Sequence, residues 1–157
     1  MAEQIIADRY KVLSELGAGG MGTVFLAQDM KLKRQVAIKV LNENTANDAS
    51  NIERFKREVK FVAGLSHPNV IGLYDFIEHE GDSYAVMEYA AGQTLDKSLQ
   101  THSLDRDEVI RLARGIASGL STAHQKGIVH RDIKPANIML CAKDGRANFV
   151  KLLDFGL

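Results

Sequence analysis

Only one cysteine, Cys141, occurs among the 157 residues, so no disulfide can close within the chain, and a reducing compartment suits it. Neither sign of charge prevails. Lys plus Arg and Asp plus Glu number 20 each, and a formal net charge of zero gives no reason to expect nucleic acid or an anionic membrane surface as partner. No apolar run approaches the ~18 residues of a membrane span. The opening "MAEQIIADRY" lacks the basic-then-apolar order of a signal peptide. Repeats and low-complexity tracts are also absent. These gaps leave the expectation of a soluble, cytoplasmic protein with no membrane segment in these residues. The 45% hydrophobic and 25% charged content is ordinary for a globular chain, and the length suits one medium domain or a small one with part of a second.

The patterns that are present predict an α+β protein in two parts. "RYKVLSEL" (9–16), "TVFLAQD" (23–29) and "QVAIKVL" (35–41) have strand composition, short and rich in β-branched and aromatic residues. The polar stretch 42–51 reads as a loop. A helix follows on which Phe55, Val59 and Val62 share one face and Gly64 supplies a stop. "NVIGLYDFIEH" and "DSYAVMEYA" read as a strand pair across the turn "EGD", and "AAGQTL" breaks the pattern near residue 90. Beyond it, Asp105 and Glu108 have the spacing of a capping box. The helix they open carries Val109, Leu112, Ala113, Ile116, Leu120 and Ala123 on one stripe and stops at Gly127. Two short strands, "NIML" and "FVKLLD", flank the turn "AKDGRA".

The densest feature is "LGAGGMGTVF", residues 16–25, with glycines at 17, 19, 20 and 22. Glycine lets successive amide N–H groups approach an anion closely, and phosphate is the usual one. Three phosphate-binding loops look like this. A Walker A loop needs a lysine before Thr23, and Gly22 stands there. A dinucleotide-binding loop needs a helix after the glycines, whereas "TVFLAQD" has strand composition. The third is a hairpin folded over a nucleotide, G-x-G-x-x-G-x-V followed by a strand bearing V-A-I-K. Gly17, Gly19, Gly22 and Val24 fit the first part, and Val36, Ala37, Ile38 and Lys39 fit the second letter for letter.

Further along stand "HRDIKPAN" (130–137) and "DFG" (154–156), in the order the third pattern requires. The chain resembles the eukaryotic-type (Hanks-type) Ser/Thr protein kinase family, and "GAGGMG" with "HRDIKPAN" looks most like its bacterial members. The resemblance implies a two-lobed fold: residues 1–90 as an N-lobe with an antiparallel sheet and one helix, and 91–157 as a partial, mainly helical C-lobe.

It also implies roles. The lid over ATP would be Leu16, Gly17, Ala18, Gly19, Gly20, Met21, Gly22, Thr23 and Val24. Lys39 would contact the α/β-phosphates, and Glu58, beside the apolar face of its helix, would hold Lys39 through an ion pair. Asp132 would receive or orient the substrate hydroxyl proton, and Lys134 would sit near the γ-phosphate. Asn137 and Asp154 would supply the hard oxygen ligands that Mg²⁺ prefers. Val24, Ala37 and Met139 would sandwich the adenine, Met87 would be the gatekeeper, and the backbone of Glu88 to Ala90 would bond the adenine edge. Val62, Leu73, His130 and Phe155 would stack as a spine, with His130 a packing residue and not a base. Arg131 would answer an activation-loop phosphate.

The sequence stops at "DFGL", and the resemblance therefore covers only the ATP-handling portion of that fold. These residues alone are expected to have little or no transferase activity. Two readings stay open here: part of an active Ser/Thr kinase using ATP, Mg²⁺ and a protein substrate, or an ATP-binding or interaction module without catalysis.

Overall fold

Short runs rich in β-branched and aromatic residues between Tyr10 and Val40 form three consecutive antiparallel strands, in which successive side chains point to opposite faces of the sheet. They are β2 (Tyr10–Gly19), β3 (Gly22–Asp29) and β4 (Arg34–Val40). The computed structural model describes residues 4–19, 22–40, 53, 56, 59–60, 62–143, 145–153 and 155, and it divides into two units. The first comprises Met1–Ala63 and Leu73–Tyr89, the second Gly64–Gly72 and Ala90–Leu157. The α+β class stands.

In the first unit the three strands are joined by β1 (Ile5–Ile6), β5 (Leu73–His79) and β6 (Asp82–Glu88) in one antiparallel sheet, order β1-β2-β3-β4-β6-β5. The strand pair expected across "EGD" forms with His79 opposite Asp82. Glu80 and Gly81, both at positive φ, make the primed turn that suits strand twist. One sheet face buries Ile6, Tyr10, Ala27, Val36, Ile38, Tyr84 and Val86 as a contiguous core. Residues 53, 56, 59, 60, 62 and 63 are helical with Val59 and Val62 buried, and a turn begins at Gly64. The loop read at 42–51 and Phe55 lie outside the described residues.

A charged clasp fixes the β3–β4 turn. Asp29, fully buried, accepts from Arg9 Nε (3.1 Å) and Nη2 (2.7 Å), and from the backbone N–H of Lys31 (3.0 Å) and Leu32 (3.1 Å). Four donors on one carboxylate compensate its loss of water. They hold its pKa at about 2, the Arg9 hydrogen bond being the main cause.

The second unit has a three-stranded antiparallel sheet, β7 (Gly92–Thr94), β8 (Ile138–Lys143) and β9 (Arg146–Leu152), in that order. A short helix α1 (Leu95–Leu99) and a long one, α2 (Arg106–Gln125), precede β8. The capping box forms as read, Glu108 N–H on Asp105 Oδ1 (2.8 Å) and Asp105 N–H on Glu108 Oε2 (3.1 Å).

The buried stripe of α2 differs from the one read in the sequence. Leu112, Gly119 and Ala123 are buried, whereas Val109 is 50% exposed and Ala113 is exposed. The reason is steric. At Gly119 an added Cβ would stand 3.0 Å from Leu152 Cδ1 and 3.1 Å from Asn69 O, so the helix approaches β9 and residues 69–70 on its glycine face.

The segment 64–72 also departs from expectation, since the sequence assigns it to the first part and begins a strand at Asn69. Here β5 begins at Leu73, and the preceding residues attach to the second unit's β9. Ile71 N–H bonds Leu152 O (3.0 Å), Leu152 N–H bonds Asn69 O (2.8 Å), and Asn69 Nδ2 bonds Val150 O (2.8 Å). Lys151 Nζ adds a bond to Pro68 O (3.0 Å). Backbone groups leaving a helix need partners, and β9 supplies them. Among the described residues no helix is long and apolar enough to cross a membrane.

Candidate functional site

The expected residues fall into two groups, one in each unit. In the first unit the glycine segment is a hairpin between antiparallel strands, with Gly17 opposite Val24 and Gly19 opposite Gly22. Gly22 has φ 141°, a conformation closed to most side chains. Register shifts between Val12 and Ser14 and between Glu15 and Gly17 mark bulges that sharpen the local twist. Gly20 and Met21 lie outside the described residues.

Strand pairing then sets which side chains share a face. Val24 stands opposite Lys39, Lys39 opposite Ala85, and Ala37 opposite both Leu26 and Met87. Cross-strand partners point the same way, so Val24, Ala37, Lys39 and Met87 occupy the sheet face turned away from the Tyr10–Ile38 core. Lys39 is 5% exposed, a rare state for lysine. Glu88 ends β6 opposite Val36, and Ala90 is buried at the start of the second unit's 90–157 stretch. Glu58 lies outside the described residues, so its pairing with Lys39 does too.

In the second unit residues 130–137 fold onto themselves. Asn137, buried in a 3-10 turn opened by Pro135, gives both Nδ2 hydrogens to Asp132, to its backbone O (2.8 Å) and to Oδ2 (2.9 Å). Lys134 Nζ approaches the same Oδ2 at 2.8 Å. The Lys134 bond, seconded by Asn137, holds the Asp132 carboxyl below the usual carboxylate range. At neutral pH Asp132 is therefore an anion with Oδ2 occupied and, among the described residues, Oδ1 left to accept.

His130 is 1% exposed and has both ring nitrogens in use. Nε2 lies 2.7 Å from Leu153 O, and Nδ1 accepts from the Asp132 N–H (3.3 Å). Since Nδ1 accepts, Nε2 is the nitrogen that donates to Leu153 O. Its face rests on Phe155, with centroids 4.5 Å apart at 52°. Leu153 N–H returns to Asn137 O (2.9 Å). The segment 153–155 is thus laced to the 130–137 loop on either side of Asp154, which itself lies outside the described residues. Arg131 is exposed at φ 67°, a strained value for a long side chain. Met139 is half-buried in β8, opposite Thr94 and Lys151.

The structure therefore joins Asp132, Lys134, Asn137, His130 and Phe155, and separately Val24, Ala37, Lys39 and Met87. Sequence reasoning missed the Leu153 carbonyl that seats His130 and the Asn137 amide that steers Asp132. The first is a backbone atom and leaves no trace in a sequence, but an asparagine five residues after an aspartate at a proline-led turn does hint at the second.

The sequence profile of the protein kinase domain family matches residues 10–157. Among curated relatives, a probable serine/threonine-protein kinase PknB of Lactococcus lactis is 43% identical over 156 residues, 98% of this chain and 24% of that protein. PrkC of Bacillus subtilis, a serine/threonine-protein kinase, is 42% identical over 153 residues, 97% of this chain and 23% of its own length. The crystal structure of a Mycobacterium tuberculosis PknI kinase domain double mutant aligns with a TM-score of 0.84 at 32% identity. That alignment covers 99% of this chain and 62% of the solved one. This chain thus spans about a quarter of the length of these curated relatives.

Proposed function

The chain belongs to the protein kinase family, and on that premise we propose that it is the ATP-handling part of a Ser/Thr protein kinase. The observation carrying this reading is the loop in which Lys134 and Asn137 both bond one oxygen of Asp132 and, among the described residues, leave the other to accept.

A substrate serine or threonine hydroxyl donates its hydrogen bond to Asp132 Oδ1, which aims the oxygen lone pair at the γ-phosphorus. As the new O–P bond forms and the bond to the ADP oxygen breaks, the hydroxyl proton passes to Asp132. A depressed pKa makes Asp132 a weak base, and a loose phosphoryl-transfer transition state asks mainly for orientation. Lys134, two residues away, balances charge on the γ-phosphoryl oxygens. Lys39 fixes the α/β-phosphates from the buried sheet face, and Glu58 holds Lys39. The 16–24 hairpin covers the phosphates with backbone N–H groups. Val24, Ala37, Met87, Glu88, Ala90 and Met139 receive the adenine.

The donor set suits Mg²⁺. With both Asn137 amide hydrogens on Asp132, its Oδ1 is the hard oxygen left for a cation, and Asp154 would supply a second. When bound, Mg²⁺ supplies neutralisation of phosphate charge.

The test measures labelled γ-phosphoryl transfer to a generic protein substrate by the native polypeptide that carries this sequence. Asp132→Asn is expected to lower transfer by about 10²–10⁴-fold with MgATP binding retained. Transfer unchanged in Asp132→Asn, or MgATP binding with no transfer at all, would overturn the catalytic reading, the second outcome in favour of a binding module.

A further inference from the structure

A groove of about 280 Å³ lies within the second unit between α2 and β9, apart from the 130–137 loop. Its polar lining is Asn69, Arg111, Arg114, Ser118 and Asn148, with Phe149 beside them. That volume lies at the lower limit of small-molecule sites, too small for a nucleotide and right for one side chain.

The lining is rich in donors. Asn69 N–H donates to His67 Nδ1 (3.0 Å), so the His67 proton is on Nε2 and donates to Ser118 Oγ (3.1 Å). The Ser118 hydroxyl hydrogen is then left to donate elsewhere. Arg114 makes no ion pair among the described residues. Arg111 is 59% exposed and only 3.8 Å from Glu108 Oε1, a weak pair. Glu108 is itself occupied at Asp105 N–H (3.1 Å) and meets Asn148 Nδ2 at 3.5 Å. Asn69 Nδ2 is spent on Val150 O and serves as wall.

We propose that this groove binds the phosphoryl group of a phosphorylated serine or threonine on a protein partner. Two guanidinium forks and a hydroxyl match three phosphoryl oxygens carrying about −1.5 to −2 charge, whereas a carboxylate with two oxygens is met by one fork. The groove does not depend on the transfer reading, because none of its residues belongs to that machinery.

The experiment reads fluorescence anisotropy of a dye-labelled heptapeptide, phosphoserine flanked by three alanines on each side, titrated with the native polypeptide. Saturable binding is expected. Peptides with glutamate or serine at the centre, and inorganic phosphate as competitor, should each bind at least about tenfold more weakly. Arg114→Ala should cost at least about tenfold, as for a lost charge-assisted bond, with Arg114→Lys between it and wild type. Arg114 is exposed, so circular dichroism and MgATP binding should remain as in wild type. Arg111→Ala serves as the second variant. No saturation, equal binding of the glutamate peptide or of inorganic phosphate, or full affinity in both arginine variants would overturn the proposal. Loss of transfer in Asp132→Asn leaves this binding untouched, so the two readings fail separately.

Discussion

Replacing Asp29 with asparagine tests whether the β3–β4 clasp carries charge-dependent stability. The carboxyl titrates at about 2 in the fold against an ordinary 3.8. At 1.36 kcal/mol per pKa unit that difference is worth about 2.4 kcal/mol at neutral pH, and the side chain is only 1% exposed. Arg9 is 29% exposed, recovers some water and keeps its contact with Asp75 (Nη1 to Oδ2, 3.6 Å), which brings the expected loss to about 2 kcal/mol. Asparagine keeps an oxygen for the Lys31 and Leu32 N–H groups but turns an amide donor toward Arg9 Nη2.

Because the folded pKa is depressed, this stability is present in full above about pH 5 and is lost as pH falls past 3.8 and through 2. By linkage, about 1.3 kcal/mol remains at pH 3 and about 0.4 at pH 2. Urea unfolding of wild type and Asp29→Asn, fitted at pH 7 and again at pH 3, measures both ends. A difference below about 0.5 kcal/mol at pH 7, or one that does not shrink on acidification, would refute the reasoning.

Lys134→Gln removes the main cause of Asp132's low pKa. The acid limb of the kcat/KM profile is therefore expected to move to higher pH, and an unmoved limb counts against the Lys134–Asp132 bond as its cause. Gly119→Val puts atoms where only about 3 Å separates the helix from Leu152 and Asn69. It should lower urea stability by about 1–3 kcal/mol, and a neutral result would mean the helix can lift off β9 at little cost.

What the sequence disclosed was local. The capping box needs only Asp105 and Glu108, and the glycine hairpin needs strand composition on both sides of Gly17–Gly22, so both were legible by spacing. Strands β1 and β7, two and three residues long, are too short to show a period. The buried face of α2 was misread because glycine scores as neither core nor surface, yet Gly119 is where the backbone comes closest to its neighbours. The Asn69 bridge to Val150 joins residues 81 apart, and no window of sequence contains both. At the candidate site, residue types were legible from the motifs, whereas the sharing of one Asp132 oxygen by Lys134 and Asn137 was not.

The ribbon 64–72 has a consequence for anyone who handles the gene. The polypeptide leaves the first unit at Ala63, returns at Leu73 and leaves again after Tyr89, so neither unit is a contiguous cassette. A chimera spliced at residue 90 would carry off β9 without the strip that covers the Leu152 backbone and receives the Lys151 ammonium. A graft that keeps 64–72 with its own β9, by contrast, transplants a matched pair. Recombination between relatives should therefore tolerate crossovers at 90 only when both parents agree along that strip.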